Sequence, residues 1–378
     1  MKLSTPALKI VSVVSLALLF FASGSITYLI LSISSIFVKP EVEPQTNDHS
    51  FVTQGEFTPP KTDSVLSVLM LGYGGAGHDG GTLSDVLMLA RIDYEKKIVT
   101  LISIPRDLWV ELPIRSDKNE YFKINMAHAI GLDDTRYGLK EPLFRGETGG
   151  GEMAKFAVSM VTGIPVDYFV SIDFEGFKTA IDIIGEIDVD VPATFEDNFY
   201  PVKGLENETC GFTSAEIDLF HRMYTGFELE KQFTCRYEQL HFIEGIARMD
   251  GETALKFVRS RHSDTSGGDF ARSQRQQAVL DALKNSILTR DTLSDPRELK
   301  NLVDTMSTIV RTDAPLDTAD KFLDLIGSPS EYTVNSINLS TDNVLTNATS
   351  DGGAYILVPR DGSSNWENTK AFISSNLK

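Results

Sequence analysis

Residues 250–277 read DGETALKFVRSRHSDTSGGDFARSQRQQ, and the rest of the chain can be interpreted around them. Four arginines fall within this stretch: Arg259, Arg261, Arg272 and Arg275. The chain as a whole is acidic, with a formal net charge of -18. So many guanidinium groups in one short piece of an acidic protein indicate a local site for an anion.

The local pattern predicts two helices joined by a turn. Asp250 is an N-cap residue for the first helix, in which Leu255 and Val258 continue an apolar stripe. The glycines within Ser266–Gly268 predict a turn, and a second helix is expected to begin near Asp269.

On that second helix, Asp269, Arg272 and Gln276 are spaced so that they share one face. The turn and the two helix ends can therefore bring permanently charged side chains to one point. Guanidinium groups pair bidentately with phosphate oxygens, and a helix N-terminus adds positive charge. The stretch is interpreted as a phosphate or diphosphate site. The alternative is that its arginines lie on the surface in ordinary ion pairs.

Length and charge limit the class of protein. A chain of 378 residues is long enough for one large domain or two ordinary ones, and its composition is globular. The acidic balance argues against binding of a nucleic acid backbone. It suits a protein that works outside the cell and binds an anionic substrate in a local basic pocket.

The N-terminal segment predicts a membrane anchor. No charged residue lies between Lys9 and Lys39, and this run exceeds the roughly 20 residues that span a bilayer. We expect a cytoplasmic tail at 1–9, a transmembrane helix at 10–38 and an extracellular linker at 39–63. The alternative is a cleaved secretion signal. Both interpretations place the body outside the cytoplasm.

The two cysteines, Cys210 and Cys235, lie in one segment of irregular pattern. Outside the cytoplasm they can form one disulfide that closes a local loop, and two free thiols are the alternative. A zinc site would need more ligands, and the nearby His221 and His241 show no recognisable spacing.

A glycine loop follows the first buried strand. Gly72, Gly74 and Gly77 form a literal G-x-G-x-x-G pattern. A dinucleotide site requires a helix after the last glycine, whereas this loop leads through Ser84-Asp85 into another apolar strand. The loop is therefore interpreted as a flexible segment beside a site.

The third apolar strand, which follows the second in a hairpin, ends in Pro105-Arg106-Asp107. Charged residues at the end of a strand are well placed for a site, and a local Arg–Asp ion pair is the alternative. Asn125 follows soon after, as a helix cap or a ligand contact.

The remaining segments alternate between helices and strands. Helices are predicted at 149–162, 175–184, 274–288, 299–309, 318–326 and 366–377, and strands at 65–71, 86–92, 98–104, 168–174, 187–191, 334–339 and 355–358. Residues 195–240 are irregular in pattern and are interpreted as an insertion or lid. Residues 64–378 are treated as one domain because no linker divides them.

Together these pieces resemble the LytR-CpsA-Psr family of bacterial membrane-anchored glycopolymer transferases. The matching pieces, besides the anchor, are Ser84–Leu89, Ser103–Asp107, Lys123–Asn125 with Ala127, Val170–Phe177, Ile184–Val189, Asp250–Gly251, Ala254–Leu255, Arg259–Arg261, Asp269–Phe270, Arg272 and Arg275–Gln276. Any one of these motifs is weak, and the ordered set is specific.

The resemblance implies an α/β (α+β) fold, with a mixed, largely antiparallel central sheet flanked by helices and an apolar groove for a polyprenyl chain. It implies a reaction in which a phospho-glycan moves from a polyprenyl-pyrophosphate-linked precursor to a peptidoglycan hydroxyl, aided by Mg²⁺. Phosphoryl transfer suits this picture, because it needs positive charge placed on phosphoryl oxygens and an aligned acceptor.

By match, the residues expected to hold the diphosphate are Arg106, Arg259, Arg261, Arg272 and Gln276, with Asn125 as a further contact. Asp85 would bind magnesium and Asp269 would orient arginines. The expected catalytic set is Arg106, Asp107, Arg259, Arg261 and Asp269, with Asp107 as the candidate base. The family often has an aspartate directly after the glycine that ends the first strand. This chain has Tyr73 there, and Asp79 is the expected replacement as a metal ligand.

Two alternatives use the same residues. One is a non-catalytic anchored protein that binds lipid-linked glycan or wall polymer, which the absence of an aspartate at Tyr73 keeps open. The other is a polyprenyl-pyrophosphate hydrolase, in which water replaces the glycan acceptor.

Overall fold

The structure is a computed structural model that describes residues 64–76, 80–260, 263, 268–289, 309–314 and 331–377. The expected anchor at 10–38, the linker at 39–63, Asp79, Arg261 and most of the helices expected at 299–309 and 318–326 lie outside these residues. Within the described ranges, no helix has the length and apolar character needed to cross a bilayer.

The chain divides into two compact units. The first combines Met1–Ile184 with Lys284–Lys378, and the second is Gly185–Leu283. Each unit is described by itself.

The described strands are β1 (Val65–Tyr73), β2 (Ser84–Asp93), β3 (Ile98–Ser103), β4 (Trp109–Arg115), β5 (Lys118–Lys123), β6 (Tyr168–Asp173), β7 (Ile187–Val191), β8 (Phe195–Pro201), β9 (Tyr237–Phe242), β10 (Gly245–Met249), β11 (Val310–Thr312), β12 (Thr333–Asn338), β13 (Leu345–Thr349) and β14 (Tyr355–Pro359). The described helices are α1 (Met126–Leu132), α2 (Gly149–Thr162), α3 (Phe174–Ile184), α4 (Ser214–Met223), α5 (Phe227–Glu230), α6 (Gly251–Arg259), α7 (Gly268–Thr289) and α8 (Glu367–Asn376), with 3₁₀ turns at Pro142–Phe144 and Thr234–Arg236.

A six-stranded sheet in the order β11-β6-β1-β2-β3-β12 forms the centre of the first unit. The β1–β2, β2–β3 and β6–β11 pairs are antiparallel. The β1–β6 and β3–β12 pairs are parallel. The expected mixed, largely antiparallel sheet with flanking helices is therefore confirmed for the described part of the chain.

The three strands β1 to β3 form because their sequences are almost continuously apolar. Val68, Leu69, Leu89 and Ile102 are each 0% exposed and lie in the core of the unit. Strands buried on both faces lack polar alternation, which is why these runs could be identified from the sequence. The expected β2–β3 hairpin is confirmed.

Helices α1 and α2 pack against each other through glycines. A Cβ atom on Gly131 would lie 2.2 Å from the carbonyl oxygen of Gly149, and one on Gly150 would lie 2.8 Å from the carbonyl oxygen of His128. The backbones therefore approach more closely than any side chain allows. This contact fixes α1, whose N-terminus carries Asn125.

The second unit contains two small sheets, β7–β10 and β8–β9. Strand β7 alternates buried and exposed residues, as expected for a half-exposed strand. The interpretation of residues 195–240 as irregular is wrong, because β8 and β9 pair across them and α4 and α5 lie between. Cys210 and Cys235 are joined in a disulfide, which confirms the first of the two expected alternatives.

The tail returns to the first unit. Strand β12 extends the central sheet beside β3, and β13 pairs with β14 in a hairpin. Trp366, in the N-cap position of α8, is 5% exposed. The expected strands at 334–339 and 355–358 and the final helix are confirmed, with ends that differ by one or two residues.

We predict that Gly131→Ala destabilises the protein by about 2 kcal/mol, because the added methyl meets backbone that cannot move aside. In an isolated helix the same substitution would stabilise the helix by roughly 1 kcal/mol. The sign of the measured change in unfolding free energy therefore shows whether the α1–α2 contact exists. Chemical denaturation measures the free energy of unfolding. Gly352→Ala is the control, since the nearest atom to its added Cβ is 3.9 Å away. A stabilised Gly131→Ala variant would contradict the packing.

Candidate active site

The main chain of Asn125 joins three elements at one corner of the first unit. The Ser84 amide, at the start of β2, donates to the Asn125 carbonyl at 3.1 Å. The Asn125 amide donates to the carbonyl of Arg106, just after β3, at 3.2 Å. The residues quoted as separate motifs in the sequence are therefore neighbours in space.

Four charged side chains form an alternating network at this corner, and we call them the charged corner: Asp85, Arg106, Asp107 and Lys123. Arg106 Nη1 donates to Asp85 Oδ1 at 2.7 Å. Arg106 Nε lies 3.6 Å from Asp107 Oδ2, and Lys123 Nζ donates to Asp107 Oδ1 at 2.7 Å. Their side chains are 17% to 28% exposed, so the network can be reached from solvent.

This geometry bears on the alternative that Arg106 and Asp107 form a local ion pair, and it adds Lys123 to the candidate site. The local Arg–Asp ion pair exists, and it belongs to a larger network with Asp85 and Lys123. Lys123 appeared in the sequence only as part of a motif, and its contact with Asp107 makes it a site residue. Its position at the end of β5, on a strand of mixed polarity, gave little signal.

Two buried oxygen atoms beside the charged corner have no hydrogen-bond partner among the residues that the structure describes: Ser84 Oγ and Asn125 Oδ1. Their residues are 0% and 6% exposed. A buried acceptor without a partner costs about 1–3 kcal/mol, so such atoms call for a ligand. Asn125 occupies the N-cap position of α1, yet its side chain makes no capping bond. Of its two expected roles, the cap is confirmed in position, though without a side-chain capping bond, and the ligand contact stays a prediction.

Tyr73 lies at the end of β1, where the resembling family often has an aspartate. Its ring packs on that of His128, with centroids 4.8 Å apart. His128 Nδ1 lies 2.9 Å from the Thr82 carbonyl oxygen and, as N–H, donates to it. Burial and the nearby Asp173 raise the pKa of Tyr73, so its phenol is neutral at physiological pH.

In the second unit, β8 supports the arginine-rich stretch. Arg259 Nη1 donates to the Tyr200 hydroxyl at 3.1 Å. Ser260 Oγ donates to Asp197 Oδ2 at 2.7 Å, within the interior of the unit. The sequence interpretation missed both β8 residues, because it took this segment for irregular chain.

Arg275 is buried beneath the same stretch, at 1% exposure. Its Nη2 donates to the Ser260 carbonyl at 2.6 Å, and its guanidinium lies 4.7 Å from the centre of the Phe195 ring. Burial, and then the nearby Arg272, lower the pKa of Arg275 to about 10, so it remains charged at neutral pH. Arg275 is one of the four arginines of this stretch but not one of the expected diphosphate ligands, and it holds the backbone at Ser260.

Several of the remaining expected residues lie at the start of α6 or within α7. Asp250 caps α6 by accepting from the Thr253 amide at 2.8 Å, as expected. Arg272 and Gln276 are half-buried on α7, four residues apart. Asp269 lies in α7, but its side chain is not among those that the structure describes. Asp79 and Arg261 lie outside the described residues. The expected gathering of Arg106 with Arg259, Arg261 and Arg272 stays a prediction.

Comparison with known proteins identifies relatives of this chain. A family model described as the LytR_cpsA_psr family matches residues 28–371. TagV of Bacillus subtilis (strain 168), named a polyisoprenyl-teichoic acid–peptidoglycan teichoic acid transferase, is 29% identical over 221 residues, or 58% of this chain and 42% of its own. TagU of Enterococcus faecalis, named for the same activity, is 26% identical over 259 residues, or 68% and 64%. The chain thus spans less than two thirds of these relatives' length.

Solved structures share the fold. The crystal structure of B. subtilis TagV has a TM-score of 0.53 at 22% identity, covering 84% of this chain and 98% of that one. Protein gbs0355 of Streptococcus agalactiae has a TM-score of 0.53 at 20% identity, covering 83% and 88%. These similarities support the α+β architecture described above.

We predict that Arg275→Lys lowers the free energy of unfolding by about 2–3 kcal/mol. Lysine keeps the charge and loses the planar contact with Phe195 and the fixed donor to Ser260. Thermal or urea unfolding measures the change. Arg248→Lys is the control, since its side chain is 67% exposed. Equal stability of the two variants would contradict the supporting role of Arg275.

A second prediction concerns pH. Burial lowers the pKa of His128 from its ordinary value of 6.5, although its bond with Thr82 opposes this. The unfolded chain then binds a proton that the native state does not, so stability should fall as pH drops below about 6.5. His128→Gln should reduce that slope, by at most about 1.4 kcal/mol per pH unit. His241→Gln, at an exposed site, is the control substitution. An unchanged slope in His128→Gln would contradict the assignment.

Proposed function

The chain belongs to the LytR_cpsA_psr family, and from that premise we propose that it transfers a phospho-glycan from a polyprenyl-diphosphate-linked precursor to a hydroxyl of peptidoglycan. The names of TagV and TagU as polyisoprenyl-teichoic acid–peptidoglycan teichoic acid transferases support both substrate classes.

The observation that carries the proposal is the charged corner. Phosphoryl transfer needs little covalent chemistry from the protein, and it needs positive charge on the phosphoryl oxygens and an aligned acceptor. Arg106 offers a planar donor fork at the end of β3 and is 28% exposed. Asp107 lies between Arg106 and Lys123, at 3.6 Å and 2.7 Å. Cation and carboxylate are thus held side by side, as transfer to a hydroxyl requires.

The proposed reaction assigns a role to each group. Arg106 binds the diphosphate, and Asp107, oriented by Lys123, accepts the proton of the acceptor hydroxyl. The acceptor oxygen forms a bond to the phosphorus that carries the glycan. The bond from that phosphorus to the bridging oxygen breaks, and polyprenyl phosphate leaves. Arg259, Arg261, Arg272 and Gln276 keep their expected phosphate-binding role, and Asp269 its role in orienting arginines.

The residues at the corner are compatible with Mg²⁺. The described part of the chain contains no group of three or more His, Cys, Asp or Glu that could hold a metal. Mg²⁺, however, is commonly bound by one or two carboxylates together with substrate phosphates. Asp85 supplies one carboxylate, and Ser84 Oγ and Asn125 Oδ1 are hard oxygen donors for which the described part of the chain supplies no hydrogen-bond partner. We propose that Asp85 holds the ion, with Asp79 as a second ligand; when bound, it would neutralise charge on the phosphoryl oxygens.

We also propose that the protein is a single-pass membrane protein, anchored by residues 10–38 with its body outside the cell. The uncharged run between Lys9 and Lys39 supports an anchor. The disulfide between Cys210 and Cys235 supports an oxidising compartment.

Arg106→Gln should lower kcat/KM by about 10²–10³ with a polyprenyl-diphosphate-linked glycan and peptidoglycan, because one preorganised donor to the phosphoryl group is lost. Transfer of labelled glycan to insoluble peptidoglycan measures the rate. Arg115→Gln is the matched control, since Arg115 pairs locally with Asp117 in an exposed hairpin end.

Product analysis separates the alternatives. Peptidoglycan-linked phospho-glycan supports the transferase, whereas free phospho-glycan released with water as acceptor would identify a hydrolase. Absence of turnover by the wild-type chain on lipid-linked glycans, with binding intact, would favour a non-catalytic binder and overturn the proposal.

A further inference from the structure

The β4–β5 hairpin of the first unit carries two aromatic side chains on its outer face. Trp109 pairs with Lys123 across the hairpin, and Glu111 pairs with Tyr121. Directly paired residues of antiparallel strands share a face, and side chains alternate along each strand. The buried Val110 belongs to the opposite face, so Trp109, Glu111, Tyr121 and Lys123 lie together on the outside.

The two aromatic rings are nearly parallel and are held in place. Their centroids lie 6.2 Å apart with planes inclined by 19°. Tyr121 is 39% exposed, and its hydroxyl lies 2.6 Å from Ser364 Oγ, which fixes the ring. A cross-strand aromatic pair alone stabilises a hairpin by about 0.2–1 kcal/mol. A buried Tyr121 would stabilise the hairpin equally well. An ordered and exposed ring, in addition, provides a flat surface for a ligand.

This surface is continuous with the charged corner. Lys123, directly opposite Trp109, donates to Asp107 at 2.7 Å, and Asp107 lies 3.6 Å from Arg106. Along the molecule the order is therefore Arg106, Asp107, Lys123 with Trp109, and then Tyr121. If Arg106 binds the diphosphate and Asp107 faces the acceptor hydroxyl, the aromatic rings lie on the acceptor side.

We propose that Trp109 and Tyr121 form a stacking platform for the acceptor glycan, the β-1,4-linked N-acetylhexosamine backbone of peptidoglycan. Pyranose rings have an apolar C–H face that packs on aromatic rings and a polar rim that forms hydrogen bonds. Glu111, directly opposite Tyr121 and two residues along β4 from Trp109, supplies acceptor oxygens for sugar hydroxyls. An uncharged glycan gains little from guanidinium groups, so stacking is a suitable way to hold it. The inference rests on the proposed function, because that function identifies the acceptor.

Intrinsic fluorescence offers a direct test. The chain has two tryptophans, and Trp366 is 5% exposed in the core. In the full chain with Trp366→Phe, the emission reports Trp109 alone. Titration with the β-1,4-linked tetramer of N-acetylglucosamine should change this emission in a saturable way. Tyr121→Ala should weaken binding about tenfold, as expected for the loss of one aromatic stacking contact.

Two further variants make the test specific. Tyr121→Phe keeps the ring and should retain the affinity of the parent, which separates stacking from the bond to Ser364. Tyr355→Ala removes another tyrosine, 52% exposed on the β13–β14 hairpin, and should not affect binding. Equal binding by Tyr121→Ala and its parent, or no response of Trp109 to the tetramer, would overturn the proposal.

A second ligand distinguishes acceptor from donor. UDP-N-acetylglucosamine carries a sugar on a diphosphate, as the donor does. The proposal expects binding of the tetramer to be unaffected by Arg106→Gln. If only the sugar diphosphate perturbs Trp109, and Arg106→Gln abolishes the effect, the platform belongs to the donor and the acceptor assignment is wrong.

Tetramer binding and transfer activity are measured separately, so the platform and the proposed function can fail independently. Tetramer binding that depends on Tyr121, in a chain without transfer activity, would support the platform and contradict the proposed function. An active chain in which Tyr121→Ala changes neither tetramer binding nor the KM for peptidoglycan would support the function and contradict the platform.

Discussion

Two backbone hydrogen bonds of Asn125 determine where the chemistry of the first unit lies. They hold the start of β2 and the end of β3 against the start of α1, at 3.1 Å and 3.2 Å. These bonds also set the positions of three charged residues. Arg106 supplies one of the bonded carbonyls, Asp107 follows it in the chain, and Asp85 follows Ser84, whose amide forms the other bond. The apolar strands β1 to β3 supply the rigid support, and the glycine contact between α1 and α2 fixes the third element. The corner is thus built on regular elements, which keeps its geometry defined.

Electrostatics explain how an acidic chain can bind an anion. The net charge of -18 repels a diphosphate, but salt at physiological ionic strength screens this repulsion beyond about 8–10 Å. At the corner, Arg106 and Lys123 alternate with two carboxylates, so the cations stay fixed without a concentration of like charge. In the second unit, by contrast, Arg275 is buried, against the Ser260 carbonyl and the Phe195 ring. One residue type therefore serves as scaffold in the second unit and, under the proposed function, as a diphosphate ligand at the charged corner.

The elements that the sequence predicted are those with a strong local signal. Helix α2 spans the predicted residues, Gly149–Thr162, and Asp250 caps α6 as expected. The missed strands, among them β4, β5 and β8, mix polar with apolar residues and so give a weak local signal. Strands β4 and β5 pair with each other across a tight turn, whereas β8 pairs with β9, which is distant in sequence. The burial of Arg275 could not be predicted for a related reason: nothing in the local sequence shows which guanidinium is buried. The family resemblance identified Asp85, Arg106 and Asp107, and only the fold showed that Lys123 completes their network.

The central claim is that the charged corner binds a diphosphate, and a crystal structure of the chain with farnesyl diphosphate and Mg²⁺ tests it most directly. We expect a diphosphate oxygen within hydrogen-bond distance of the Arg106 guanidinium, with Asp85 released from its 2.7 Å contact with Arg106. A diphosphate bound elsewhere, with Arg106 still paired to Asp85, would contradict the account.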